Sequence, residues 1–485
     1  MARYLPVFHA LSVMVVLLAL AMLAPLAVSL LYEDGARRAY EHALLVTLAS
    51  GSLLWLGTRK SSTELRPRDG FLLVALVWTV LPVFAALPLL DQLPGLSFTE
   101  AYFESVSGLT TTGATALSGL DFLPPSINFW RALLVWLGGM GVVVLAVAVL
   151  PLLGVGGSQI LKAETPGPMK ESKLAQRIIE TAKGLWLVYA LITLACILAM
   201  KTAGMSWLDA VVHGLSTLGL GAFSTHDLSF GYFNSPAIEA VAIFFMVVAG
   251  LNFGTHFLVF RKLSFAPFRA DPESGAYIAV LALSVLGIAW YLSANGVYPS
   301  FWAALRHSAF NVVSIATTAG FSSTDFGKWP VFAPVWMLFL CCFVTCSGST
   351  GGGIKMIRAE LMVRQAIREM QRILHPRAHF SVKLSGQPVE NNIIFAVLAF
   401  MLMYGGSVIV MTMLLAASGL DIISAFTAIT ACINNTGPGL GEVGPGKTYA
   451  ALSDFQTWVC IAAMLLGRLE LFALLVIFTP GFWRR

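Results

Sequence analysis

Residues 110–115 read TTTGAT, and runs of the same kind recur as LGLGAFS at 218–224, ATTAGFSS at 316–323 and INNTGPG at 433–439. Each run follows a membrane-length apolar span and a short helix-like segment, and each precedes another apolar span. Extended backbone at membrane depth is tolerated only where it lines a cavity or is buried in protein, so its carbonyls must face something useful. Four such runs in one chain predict a four-sided ring.

Setting Gly113, Gly320 and Gly437 in one column aligns Thr110, Thr111 and Thr112 with Thr317, Thr318 and Ala319, and with Asn434, Asn435 and Thr436, without gaps. Matching GAFS to AGFS brings Gly219, Leu220 and Gly221 into the same rows and puts Ala222 in the glycine column. Upstream, Ser107, Ser216 and Ser314 share a row in which the fourth repeat has Ala431. A local frame repeated in this way rarely arises by chance. Rings of backbone carbonyls replace the hydration shell of a monovalent cation. Glycine supplies the positive φ that lets consecutive carbonyls point one way, and small neighbours such as Thr111 and Thr318 leave the axis open. The short helix before each run aims its C-terminal dipole, about half a negative charge, at that cation. The alternative is that Gly and Thr only permit close helix packing, which is the reading given to GLNFG at 250–254 and GGMG at 138–141.

Composition points to the same solvent. Of 485 residues, 57% are hydrophobic and 11% charged, where a soluble domain has about 25% charged. Apolar stretches of spanning length recur at roughly 5–31, 41–57, 70–90, 130–153, 184–203, 236–260, 276–295, 330–346, 392–418 and 455–480, the first read as a retained helix rather than a cleaved signal. Basic residues gather in alternate loops: Arg59, Lys60, Arg66 and Arg68; Lys162, Lys170, Lys173, Arg177 and Lys183; Arg261, Lys262 and Arg269; and Lys355 to Lys383. With Arg484 and Arg485 at the end of the sequence, the positive-inside rule makes these loops and both termini cytoplasmic. The loops bearing the four runs hold Asp91, Glu100, Glu104, Asp121, Asp227, Asp325, Glu442 and Asp454, which places them at the outer face. The expectation is an all-α integral membrane protein: two N-terminal helices in 1–66, then helix–loop–helix repeats in 67–157, 158–262, 263–383 and 384–485, arranged pseudo-fourfold around one axis. The net charge of +5 gives nucleic-acid binding no support. Six cysteines without a His or acidic cluster argue against zinc.

The third repeat is interrupted by TCSGSTGGGIK at 345–355, which contains Gly348, Gly351, Gly352, Gly353 and Lys355. Each mid-helix glycine costs about 1 kcal/mol relative to Ala, so the helix breaks there, as a movable plug beneath the third run or as a passive kink. A phosphate-binding loop needs Gly-Lys-Ser/Thr, and this chain has Gly353, Ile354, Lys355. In GRLELF, Arg468 and Glu470 stand in an otherwise apolar helix, where a charge is costly unless it faces water, a partner or a pore. Arg468 is read as an electrostatic barrier below the ring, against a salt bridge to Glu470 or another helix, or snorkelling. His213 and His226 read as packing or rim residues. No nucleophile with its base and no paired carboxylates are present, so an enzyme has no constellation to stand on.

On TTTGAT, LSTLGLGAFSTHD, NVVSIATTAGFSSTDF, CSGSTGGGIK, INNTGPGLGEVG and GRLELF, the chain resembles the Trk/Ktr/HKT superfamily of potassium transporters, most closely its TrkH branch. The resemblance implies potassium uptake across a bacterial inner membrane, the four runs as selectivity filter, the glycine-rich segment as gating loop and Arg468 on the permeation path. It also implies a homodimer, a cytoplasmic nucleotide-binding regulatory ring of the TrkA type, and no cofactor on this chain besides the potassium it carries. The basic segment from Arg358 to Lys383 is a contact for that ring or only a topology signal. One departure stands out: the family places glycine at the filter position of every repeat, whereas Ala222 occupies it in the second, so either that run slips by one residue or a methyl group fills the site. A different class, a secondary transporter working by alternating access, predicts buried acids in the spans and an occluded pocket.

Overall fold

The computed structural model describes residues 4–59, 67–148, 171–384 and 386–484. Lys60, Arg66, Lys162, Lys170, Arg485 and the boundary at 157/158 lie outside the described residues. Among those described the regular structure is helical apart from a small hairpin pairing Lys383–Leu384 with Gln387–Pro388. Helices Leu5–Tyr32, Arg68–Gln92, Thr181–Thr202, Ser274–Ala294 and Asn391–Ala417 are long and apolar enough to cross a membrane. Their outward faces are apolar too: Leu31, Leu283 and Leu402 are each more than two-thirds exposed. Large hydrophobics left uncovered in number fit hydrocarbon surroundings, and the protein is a multi-pass membrane protein.

The leading helices are α1 (Leu5–Ala21), α2 (Leu23–Tyr32) and α3 (Arg37–Thr58). Next come α4 (Pro67–Ala85), the short α5 (Phe98–Leu109) and α6 (Pro125–Ala148) around the first run. Around the second stand α7 (Glu171–Thr202), the short α8 (Trp207–Gly219), α9 (Pro236–Ala249) and α10 (Phe253–Lys262). Around the third stand α11 (Ser274–Ala294), the short α12 (Phe301–Ala316), α13 (Phe332–Cys341) and α14 (Met356–Leu374). Around the fourth stand α15 (Asn391–Ala417), the short α16 (Ile422–Ile433), α17 (Asp454–Arg468) and α18 (Phe472–Leu475). Arg68 Nη1 donates to the Arg484 carbonyl (3.0 Å) and the Tyr4 and Trp483 rings lie 6.0 Å apart, so the start of α1, the start of α4 and the C-terminal end share one side of the molecule.

Each short helix begins at a side-chain cap. Ser97, Ser206 and Ser300 accept from the amides of Glu100, Asp209 and Ala303 (3.2, 3.1 and 3.2 Å), and Asp421 accepts from Ser424 (3.0 Å). Such caps stabilise a helix start by roughly 1 kcal/mol and fix where it begins.

The apolar spans read at 236–260 and 455–480 are each broken by a sharp bend. The axes of α9 and α10 differ by 95°, and those of α17 and the helix that follows it by 108°. At the first bend Asn252 caps the new helix by accepting from Gly254 N (2.7 Å). GLNFG, read above as packing, does pack closely, since a Cβ on Gly250 would lie 2.3 Å from Tyr277 Oη, and it is a helix break as well. At the second bend Glu470 and Leu471 adopt positive φ (52° and 51°). The stretch at 330–346 is also shorter than expected, since α13 ends at Cys341. GGMG does pack closely: a Cβ on Gly138 would lie 1.9 Å from the Leu109 carbonyl oxygen.

Candidate functional site

All four short helices end in the same way. A left-handed residue terminates each: Thr111 (φ 56°), Leu220 (53°), Thr318 (63°) and Asn435 (52°). The amide after it reaches back five residues, Thr112 to Ser107 O (2.8 Å), Gly221 to Ser216 O (3.0 Å), Ala319 to Ser314 O (2.8 Å) and Thr436 to Ala431 O (2.9 Å). The row containing Ala431 therefore needs only a carbonyl, which alanine supplies as well as serine. This pattern fixes the register without any slip, so Ala222 stands in the column of Gly113, Gly320 and Gly437. Those three glycines have φ of 74°, 77° and 97°, whereas Ala222 keeps a negative φ. Its peptide closes a tight turn in which Phe223 N–H donates to the Gly221 carbonyl (3.0 Å).

The column residues meet. A Cβ on Gly113 would lie 2.0 Å from Ala222 N, and one on Gly320 would lie 1.9 Å from Thr436 O and 3.0 Å from Ala222 Cβ. One on Gly437 would lie 2.8 Å from Thr112 O. First run touches second, second touches third, third touches fourth and fourth touches first, which is a closed ring. Side chains three rows before the column are turned back on their own helices: Thr110 Oγ1 to Val106 O (2.7 Å), Thr317 Oγ1 to Val313 O (2.7 Å) and Asn434 Nδ2 to Thr430 O (2.9 Å). Thr111 Oγ1, Thr436 Oγ1 and Asn435 Oδ1 are buried without a partner. No carboxylate enters these rows, so what they offer is a set of neutral oxygens, the donor set for a hard monovalent cation. Outside the ring a cavity of about 80 Å³ has the four column residues in its wall together with Arg131, His226 and Asp227.

Behind the ring lies a set of contacts that sequence reading missed. Glu104, His213 and Asn311 each stand three residues before the serine row, and each reaches the chain just past its own run. Glu104 accepts from Thr115 Oγ1 (3.0 Å) and Ala116 N (3.0 Å), His213 Nε2 meets Ser224 Oγ (2.9 Å), and Asn311 Oδ1 accepts from Ser323 N (3.1 Å). In the fourth repeat the neighbouring Thr427 accepts from Leu440 N (2.9 Å). The signal was the shared spacing from the serine row, hidden because the residue types differ. Glu104 is 1% exposed and paired with buried Arg131 at 2.7 Å. Arg131 also donates to Asn128 Oδ1 (3.0 Å), Ser224 O (3.2 Å) and Thr115 Oγ1 (3.2 Å), tying the first run to the second. His226 lies at the rim, its Nδ1 2.5 Å from Asp121 and its Nε2 3.4 Å from Asp209.

On the other side of the ring sits the glycine-rich segment. Thr350 Oγ1 donates to Leu218 O (2.8 Å) and Gly352 N to Thr318 Oγ1 (2.9 Å). A Cβ on Gly352 would lie 2.0 Å from Asn434 O, and one on Gly351 3.0 Å from Thr317 O. Gly348 (φ 74°) accepts from Phe253 N at the α9–α10 break (3.0 Å), and Gly353 (φ 79°) crosses close to Cys341 O. The Lys355 ammonium donates to Gly351 O. Arg468, 4% exposed, donates to Thr350 O (3.0 Å) and Gly138 O (2.9 Å). It thereby holds the segment against α6. Glu470 pairs with Arg358 rather than with Arg468.

The whole chain has known counterparts. A family model described as TrkH, cation transport protein, matches residues 36–288 and 297–484. The chain is 46% identical over 474 residues to the Trk system potassium uptake protein TrkH of Salmonella typhimurium, covering 98% of each. It is 36% identical over 483 residues to the Trk system potassium uptake protein TrkG of Escherichia coli, covering 99% of this chain and 98% of that one. The crystal structure of the potassium transporter TrkH from Vibrio parahaemolyticus superposes with a TM-score of 0.92 at 42% identity, covering 99% of this chain and 100% of that one. This is a transporter family and not an enzyme family: the chain belongs to the TrkH family of cation transport proteins.

Proposed function

We propose that this protein takes up potassium across a bacterial inner membrane through a single axial pathway. The rows Thr110 to Gly113, Gly219 to Ala222, Thr317 to Gly320 and Asn434 to Gly437 act as a carbonyl selectivity filter. The observation that carries this reading is the closed ring made by Gly113, Ala222, Gly320 and Gly437, with side chains three rows behind drawn away from it. Family membership and the names of its relatives supply the ion. An ion entering from the side of Asp121 and Asp227 sheds water against neutral oxygens, and the C-terminal ends of α5, α8, α12 and α16 offset part of the dehydration cost.

The segment with Gly348, Gly351, Gly352, Gly353 and Lys355 is the gate. It blocks the inner end of the ring through contacts to Leu218, Thr318 and Asn434, and Arg468 holds it there with a fixed positive charge. The protein works as a homodimer beneath which a nucleotide-binding TrkA-like subunit docks. Helix α14, with its arginines and its exposed Val363, Ile367 and Met370, is the surface for that subunit, and both termini are cytoplasmic.

Rubidium-86 flux into proteoliposomes tests the whole reading. Flux competed by potassium more strongly than by sodium is expected, and it rises when residues 351–353 are deleted. Equal basal flux before and after the deletion overturns the gate. Flux that saturates with an imposed proton or sodium gradient and vanishes without one points to an alternating-access carrier instead.

A further inference from the structure

Glu273 stands on the turn before α11, in the stretch DPESG at 271–275, and is 2% exposed. Its carboxylate accepts from two backbone amides far along the chain: Ser347 N at 2.9 and 3.2 Å and Ile357 N at 2.7 Å. Ser347 lies just before the three glycines and Ile357 just after Lys355, so one side chain grips both ends of the glycine-rich segment. Leu218, Thr318 and Arg468 hold its middle, and Phe253 N–H, which donates to the Gly348 carbonyl, adds to the first end. Two amides, one in the turn at Ser347 and one at the start of α14, converge on one buried carboxyl group, and nothing in the sequence of the segment itself supplies that acceptor.

We infer that Glu273 is the positioning residue that latches the glycine-rich segment beneath the ring. The inference rests on the gate reading given above. When the segment moves, both amides leave the carboxylate together, because the segment cannot shift its middle while both ends stay pinned. The groups around the carboxylate are Asp271 on its own turn, which accepts from Ser274 Oγ, and Lys355 and Cys346 on the segment. Burial pushes the Glu273 carboxyl up to about 7, the Ile357 and Ser347 amides and Lys355 pulling down and Asp271 adding to the rise. Release removes the two amides that lower this pKa, but it also opens the carboxyl to water, and burial is the larger influence; the pKa is therefore higher latched than released, and the carboxyl takes up a proton on latching. Acid therefore favours the latched segment, and a rise through about pH 7 favours its release.

The test is rubidium flux through the full-length protein in liposomes, with pH set equal on both sides from 5.5 to 8.5. Wild type should pass more rubidium at the alkaline end. Glu273→Ala removes the acceptor and should raise flux roughly tenfold at all pH values, consistent with losing two hydrogen bonds, with potassium still preferred over sodium. Glu273→Gln keeps the oxygen that meets both amides but cannot ionise, so its flux should stay at the low acid-side level and lose its pH dependence. Rescue by glutamine with loss by alanine separates a latch from general damage to the fold. Two results overturn the latch: flux of Glu273→Ala equal to wild type while deletion of residues 351–353 raises it, or a pH profile unchanged in Glu273→Gln. If the deletion itself leaves flux unaltered, the gate reading falls, and that outcome is read from the deletion alone.

Discussion

A methyl group on Gly113 would lie 2.0 Å from the amide nitrogen of Ala222, well inside van der Waals contact, and at φ 74° an alanine is strained in any case. Gly113→Ala should therefore abolish rubidium flux while leaving the protein extractable in detergent, as checked by isotope uptake beside size-exclusion chromatography. Ala222 is the mirror case. Because its φ is negative, the Gly221 carbonyl is engaged by Phe223 N–H and the second wall of the ring differs from the other three. Ala222→Gly allows the left-handed geometry of its column mates and should raise the preference for potassium over sodium several-fold, measured by competition against rubidium. An unchanged preference would show that the methyl group does not shape the ring. At this scale the sequence was informative, since the column and the serine row could be aligned from residue types alone. Which residue carries the left-handed turn could not be read, because Thr, Leu, Thr and Asn share no obvious conformational signature, and only the returning amide defines the frame.

Short helices and their descending strands are joined by contacts that differ from repeat to repeat, and the strongest is ionic. Arg131 and Glu104 are both nearly inaccessible. Breaking such a pair on one side strands a buried charge, at a cost of about 3–5 kcal/mol. Arg131→Met should lower the denaturation temperature and broaden ion preference together. Pairing it with Glu104→Gln should recover much of the stability, because no buried charge is left unpaired. Thermal melts of the single and double variants in detergent check this, and a double variant no more stable than the single one contradicts it. Hydropathy located the long helices, but it gave 236–260 and 455–480 as single apolar spans without their bends. A bend at Gly250 to Asn252 or after Arg468 is invisible to a sliding average, since the flanking turns are as apolar as a continuous helix. It becomes legible only when Asn252 is recognised as a cap and Gly348 is found opposite it.

The first and second repeats are joined at the rim by His226, stacked on Tyr232 and placed between Asp121 and Asp209. Burial lowers its pKa, but the bonds to Asp209 and Asp121 outweigh that, leaving it above the ordinary histidine value. A histidine with a raised folded-state pKa stabilises fully below its unfolded value, near 6.5, and this contribution is lost as pH climbs past the raised one. Melting temperature of wild type relative to His226→Asn should thus show its widest gap below about pH 6 and converge in alkali, as read by differential scanning fluorimetry from pH 5 to 9. A gap that does not vary with pH would assign the brace to stacking alone. Because the ring is assembled from successive segments of one polypeptide, a point mutation is written into one wall instead of being copied around the axis. The aperture can be varied a quarter at a time, so intermediate geometries between fully native and fully altered are accessible to selection and to experiment alike.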